Sequence, residues 1–303
     1  MQEGLKTVQY KRLEKGFAEW LDTLGYAAST VYGHPRQLNE FLQWLEQQGC
    51  TQIKEVTKQQ TEDFIHYFKN RPNQRRAGGL SISHVNKQID TLQKFFKYLK
   101  ATKQAELNIP LKLIKEEEIP ERIVLTKEEI QQLYQATDNS PIGMRDRAMF
   151  AVYYGCGIRK SEGIALEVAD VLFERRLLYV RKAKNGHERY VPINLKCLQD
   201  LEIYIYTARP LLLDETTQTE ALFISERGTG MQGQSLICRL KALQQKTENP
   251  ELQNKSFGLH ALRHSIATHL LQAGMELENI ALFLGHKTLD STQLYTHLVN
   301  ETL

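Results

Sequence analysis

Residues 103 to 121 constrain this chain more than any other stretch. They hold Pro110, Pro120 and the acidic run Glu116-Glu117-Glu118, and no apolar residue recurs among them at helical spacing. Helical periodicity is strong before this stretch and returns after it, so the chain reads as two domains, residues 1 to 102 and 122 to 303, joined by an extended linker. The length agrees, because 303 residues exceed what one hydrophobic core usually accommodates.

In the first domain apolar residues repeat at three and four positions. Leu13, Phe17, Leu21 and Leu24 form one series and Leu38, Phe41, Leu42 and Leu45 a second, with a turn from Gly25 to Thr30 between them. Two more helices are predicted after caps at Thr57 and Ser81, which makes a bundle of about four. Residues 1 to 102 carry 15 Lys and Arg against 10 Asp and Glu, whereas the sequence beyond residue 121 is balanced at 21 against 21. A net charge of +3 argues for no partner by itself, but its concentration here directs attention to this domain. Arg71, Arg75 and Arg76 lie in a Gly-containing loop, and Lys94 and Lys97 share a helix face. Both groups suit contact with a phosphate backbone, and both are equally explained by solvation.

The second domain is predicted to be mixed, and the whole chain mainly α with a small β-sheet. Thr126 and Glu129 form a capping box, and Pro141 to Tyr154 reads as a buried helix. Residues 177–180 and 189–193 flank Asn185-Gly186 as a β-hairpin, and a short strand is expected at 222–224. No apolar run is long enough for a membrane span and no signal peptide is apparent, so a cytoplasmic protein is expected. Cys50, Cys156, Cys197 and Cys238 are scattered without a CxxC pair and read as reduced core residues.

Four separated pieces of this domain carry cationic side chains at turns or helix starts. Arg159 follows Gly155-Cys156-Gly157-Ile158 and opens a helix, where backbone N–H groups and a two-pronged guanidinium favour an anion; pairing with a local carboxylate is the alternative. Lys184 lies at the hairpin tip. His260 and Arg263 are three apart and project from one helix face. His260 with His264 could form half a metal site, but no Glu follows the first His and no third ligand is evident. His286 follows Leu284-Gly285, with Tyr295 nine residues on.

In type, order and spacing these pieces resemble the tyrosine recombinases, or phage integrase family, with the Xer recombinases most similar in size and layout. The resemblance rests on Gly157-Ile158-Arg159-Lys160-Ser161-Glu162, on residues 260–268 beginning His260-Ala261-Leu262-Arg263-His264, and on residues 284–297 containing His286 and Tyr295. It implies a helical SAM-like core-binding domain plus a mixed α/β catalytic domain. It also implies that Arg159 and Arg263 hold a phosphate, with Lys184, His260 and His286 around it and Tyr295 as nucleophile. The run Ala183-Lys184-Asn185 departs from the family's usual Gly-Lys-Gly, and Lys182 is the competing lysine.

The chemistry so implied is cleavage and rejoining of double-stranded DNA through a covalent 3′-phosphotyrosyl intermediate, with no cofactor and no metal. The active form would be a homo-tetramer on two duplexes, monomeric when free and open to a partner or accessory recombinase, with no membrane association. Two other readings use the same fold: a type IB topoisomerase-like nicking-closing enzyme, and a catalytically idle DNA-binding protein. The first helix begins near residue 10, so no arm-binding domain is expected ahead of it, and only eight residues follow Tyr295, fewer than in Xer-like relatives.

Overall fold

A computed structural model describes residues 4–74, 77–115, 123–181, 188–213 and 218–285. The chain divides into two compact units, Met1–Pro120 and Glu121–Leu303. Among the described residues no helix is long and apolar enough to cross a membrane.

The first unit is built from α1 (Val8–Thr23), α2 (Ala28–Gln47), α3 (Lys58–Asn70) and α4 (Ile82–Ala101). Thr57 and Ser81 cap α3 and α4 with side-chain oxygens, as their spacing predicts. The apolar series converge in one core containing Phe17, Phe41, Phe64 and Phe95, each contributing ~1.5–3 kcal/mol by leaving water. Phe17 meets Phe95 edge-on at 5.5 Å and Phe41 meets Phe64 at 4.9 Å, the offset geometry aromatic rings favour.

The stretch after α4 is extended, as expected, but it is not a free tether. Ala105, Leu107, Ile109 and Leu111 alternate at strand spacing and pack on the bundle. Asn86 exchanges two 2.8 Å hydrogen bonds with the backbone of Ile114, and Gln93 donates to Leu111 O at 2.8 Å. An extended segment leaves its backbone groups unpaired, and side-chain amides of α4 satisfy them here.

The second unit begins with α5 (Lys127–Gln135), capped by Thr126, and α6 (Pro141–Phe150). The helix predicted to Tyr154 is regular only to Phe150, where a π-turn, Ala151–Gly155, takes over. After α7 (Lys160–Ile164), strands β1 (Val171–Leu172), β2 (Leu177–Val180) and β3 (Arg189–Pro192) form an antiparallel sheet in that order. Val171 pairs with Leu178 and Leu178 with Val191, so the inner face is apolar. The rest is α8 (Leu195–Ile203), α9 (Arg209–Leu212), α10 (Gly233–Lys246), α11 (Pro250–Asn254), α12 (Leu259–Gln272) and α13 (Leu277–Leu284). A second π-turn, Tyr204–Ala208, links α8 and α9.

Two expectations need correction. Residues 222–224 form no strand; the chain there makes only isolated bridges, Glu167 with Ala221 and Ile224 with Gly230. The Tyr204 hydroxyl instead donates to Leu222 O and accepts from Ile224 N, taking places a neighbouring strand would fill. The cysteines are also not uniformly core residues, because Cys197 is half-buried and Cys238 exposed.

Candidate active site

Arg159 owes its position to the turn before it. The π-turn adds a residue to the end of α6, and Gly157 then adopts φ 59°, where other residues are strained. A Cβ at Gly157 would also lie 2.9 Å from Leu284 Cδ2 and 3.1 Å from Phe283 Cε1, so these side chains would have to shift. The helix that Arg159 opens, α7, has only five residues. A dipole so short adds little to the field at Arg159.

Arg263 lies on α12 and is buried. Its Nη1 donates to Gly157 O at 2.5 Å and its Nη2 to Leu284 O at 2.7 Å, while Arg159 Nη2 donates to Gly285 O at 3.0 Å. The last carbonyls of a helix have no partners within it, and α13 closes on Gly285 in the left-handed conformation. The two arginines take neighbouring carbonyls at that end, which brings together side chains that the sequence holds far apart. Lys184, His286 and Tyr295 lie outside the described residues.

The alternative reading of Arg159, pairing with a local carboxylate, is also realised. Glu162 Oε1 accepts from Arg159 Nη1 at 2.9 Å and Oε2 from the Arg159 backbone N–H at 3.0 Å. Arg189, at the start of β3, donates to the same two oxygens at 3.1 and 2.9 Å. Burial alone would raise the Glu162 pKa, but Arg189 and Arg159 overrule it and hold the carboxyl at about 2, below its ordinary 4.5.

That shift predicts a pH-dependent stability. The ionised Glu162 contributes fully above its unfolded value and loses its contribution as pH falls towards the folded one. Glu162→Gln should therefore lower unfolding stability by ~3 kcal/mol at pH 7, a gap shrinking to under about half by pH 3. Urea titrations across that range measure it, and a gap constant with pH would rule out ionisation as its cause.

His260 lies one turn before Arg263 on α12, on the same face. Its pKa is lowered, by partial desolvation and by the charges of Lys160, Arg263 and Arg159. Because the residue as a whole is exposed, the three cations are the firmer cause. Both effects favour the neutral imidazole, the form able to accept a proton.

In the first unit the predicted phosphate contacts fare unequally. Arg71 is engaged in the fold, its Nε 2.6 Å from Glu40 Oε1 and its guanidinium over the Phe68 ring. Lys94 pairs with Asp90, and Lys97 is exposed. Arg75 and Arg76 lie outside the described residues. A polar groove between α2 and α4, lined by Arg36, Gln37, Glu40, Arg71, His84 and Gln88, went unnoticed in the sequence because helical side chains facing a groove carry no periodic signal of their own. Gln88 is buried there, and its Oε1 has no hydrogen-bond partner among the described residues. Arg189 was also missed, although its position held a clue: it shares the inward face of β3 with Val191, and a charge on the core side of a strand requires a partner.

Comparison with known proteins supports the same assignment. A profile described as "Phage integrase family" matches residues 123–302, and one described as "Phage integrase, N-terminal SAM-like domain" matches residues 15–103. The chain is 32% identical over 293 residues to Tyrosine recombinase XerC 2 of Ralstonia nicotianae, covering 94% of this chain and 81% of the relative. It is 31% identical over 303 residues to Tyrosine recombinase XerC of Bacillus subtilis, covering 98% and 91%. The solved structure of XerH site-specific recombinase bound to difH substrate, a pre-cleavage complex, has the same fold, with a TM-score of 0.70 at 20% identity over 97% of this chain and 83% of that one. Fold, paired arginines and family matches agree over nearly the whole length, and the protein belongs to the phage integrase family as a site-specific recombinase of the tyrosine recombinase class.

Proposed function

We propose that the protein cuts and rejoins double-stranded DNA through a covalent bond between Tyr295 and a 3′ phosphate, acting as a homo-tetramer on two duplexes and without a cofactor. The observation that carries this reading is the meeting of Arg159 and Arg263 at the Leu284 and Gly285 carbonyls. The chain continues from there to His286 and Tyr295.

A phosphodiester is anionic, and negative charge grows on its non-bridging oxygens as the phosphorus becomes five-coordinate. Two preorganised guanidiniums answer that need, usually the largest contribution to catalysis. The Tyr295 oxygen bonds to phosphorus and the bond to the 5′ oxygen breaks. Neutral His260 accepts the phenolic proton, Lys184 gives a proton to the departing 5′ oxygen, and His286 hydrogen-bonds the phosphate. The phosphotyrosyl bond keeps the energy of the broken linkage, so a 5′ hydroxyl from another strand can reverse the reaction without ATP.

In this reading residues 1–102 are the core-binding domain and 122–303 the catalytic domain, and the protein works in the cytoplasm. The groove holding Gln88 and Arg36 is the face the first domain presents to DNA, with Arg75 and Arg76, which follow its lining residues Asn73 and Gln74 in sequence, contacting phosphates. Two duplexes bearing the recognised site and differently labelled flanks test the whole proposal. Recombinant products joining the two labels are expected. Relaxation of a supercoiled plasmid with no exchange of flanks would replace the recombinase by a nicking-closing enzyme.

A further inference from the structure

Arg189 stands outside the six residues that the family resemblance points to, yet three segments of the site meet on it. Its strand, β3, follows in sequence the segment that contains Lys184. Its guanidinium grips both oxygens of Glu162, whose side chain is 1% exposed, while that of Arg189 is 12% exposed. A Cβ added to Gly285 would lie 2.7 Å from Arg189 Nε, so the guanidinium rests against the backbone at the end of α13. Arg189 Nε is itself buried and without a hydrogen-bond partner among the described residues. Leaving a buried donor unbonded is unfavourable, and the two bonds to Glu162 are what hold the side chain there.

The electrostatic effect on Arg159 follows from counting charges. With Glu162 alone, Arg159 would form a neutral ion pair, and a guanidinium so matched attracts a phosphate weakly. With Arg189 on the same carboxylate, two cations share one anion and the group keeps a net charge of +1. We propose that Arg189 is a positioning residue of the strand-cleavage reaction: it shares the Glu162 carboxylate with Arg159, so that Arg159 keeps uncompensated charge towards the phosphate, and it ties strand β3 to the same carboxylate. The position of β3 and the charge of the arginine pair are thereby coupled. The inference rests on the reading of Arg159 as a phosphate holder.

The test compares wild type, Arg189→Lys, Arg189→Met and the double variant Arg189→Met with Glu162→Gln. Single-turnover cleavage of a nicked duplex carrying the site is measured beside gel-shift affinity, with thermal melts to verify folding. Arg189→Met keeps the length and packing of the side chain and removes its charge. It should bind DNA within about threefold of wild type and cleave about 10- to 100-fold more slowly. Arg189→Lys, which restores the charge, should cleave within about tenfold of wild type. The double variant, relieved of the unmatched acid, should exceed Arg189→Met by about fivefold or more.

Wild-type cleavage by Arg189→Met, a lysine variant as slow as the methionine one, or a double variant no faster than the single would each overturn the proposal. If Arg189→Met does not fold, Arg189→Lys decides against wild type: cleavage within about tenfold is expected, and a slower rate overturns the proposal. A wild-type protein that forms no covalent adduct would instead refute the reading of the reaction itself, so the two failures are distinguishable.

Discussion

Tyr295→Phe is expected to abolish the covalent adduct between protein and DNA, with cleavage falling by about 10⁴-fold or more while affinity for the site is unchanged. Phenylalanine keeps the ring and removes only the oxygen that attacks phosphorus, so the loss reports the nucleophile rather than the packing. A nicked suicide duplex run on a denaturing gel reads it directly, because escape of a short strand traps the intermediate. The sequence has 13 tyrosines, and the structure disfavours several as substitutes. Burial raises the Tyr153 phenol above its ordinary pKa and pushes Tyr204 up to about 12, which makes a phenolate costly at both. An adduct that survives in Tyr295→Phe would move the nucleophile to another residue and remove the central step of the mechanism.

Arg159→Ala and Arg263→Ala should each slow cleavage by about 10²- to 10³-fold, the usual effect of deleting one donor to a developing anion. Affinity should change by about threefold or less, since a single phosphate contact is one among many. The two variants should nevertheless differ in stability. Arg263 is buried, and its loss strips a donor from the carbonyls of both Gly157 and Leu284, at about 1–3 kcal/mol for each group left unpaired. The Arg159 side chain is 33% exposed, and Glu162 retains Arg189 when it is removed, so Arg159→Ala should melt close to wild type. Thermal melts beside gel shifts and single-turnover rates separate these effects. Normal cleavage by either variant would exclude that arginine from holding the phosphate.

How far the fold could be read in advance depended on the range of the interaction. The four helices of the first unit and the caps at Thr57, Ser81 and Thr126 were legible, because a cap and a 3.6-residue period involve neighbours in sequence. Strands at 177–180 and 189–192 were legible for the same reason, since alternation is local. The two-residue β1 was missed because it becomes a strand only by pairing with β2. The π-turn at 151–155 was read as ordinary helix, its composition being indistinguishable from one. The strap after α4 was recognised as extended, but its docking depends on Asn86 and Gln93, which no local pattern connects to it.

The proposed site residues follow the same division. The resemblance to the tyrosine recombinases, carried by residue types and order along the chain, grouped Arg159, Lys184, His260, Arg263, His286 and Tyr295 as one proposed chemistry. Tertiary structure decided how charge is distributed among those it describes: Arg159 and Arg189 divide Glu162 between them, and Arg263 is buried against two carbonyls. Coulombic and desolvation energies depend on separation and burial, and neither exists until distant segments have packed.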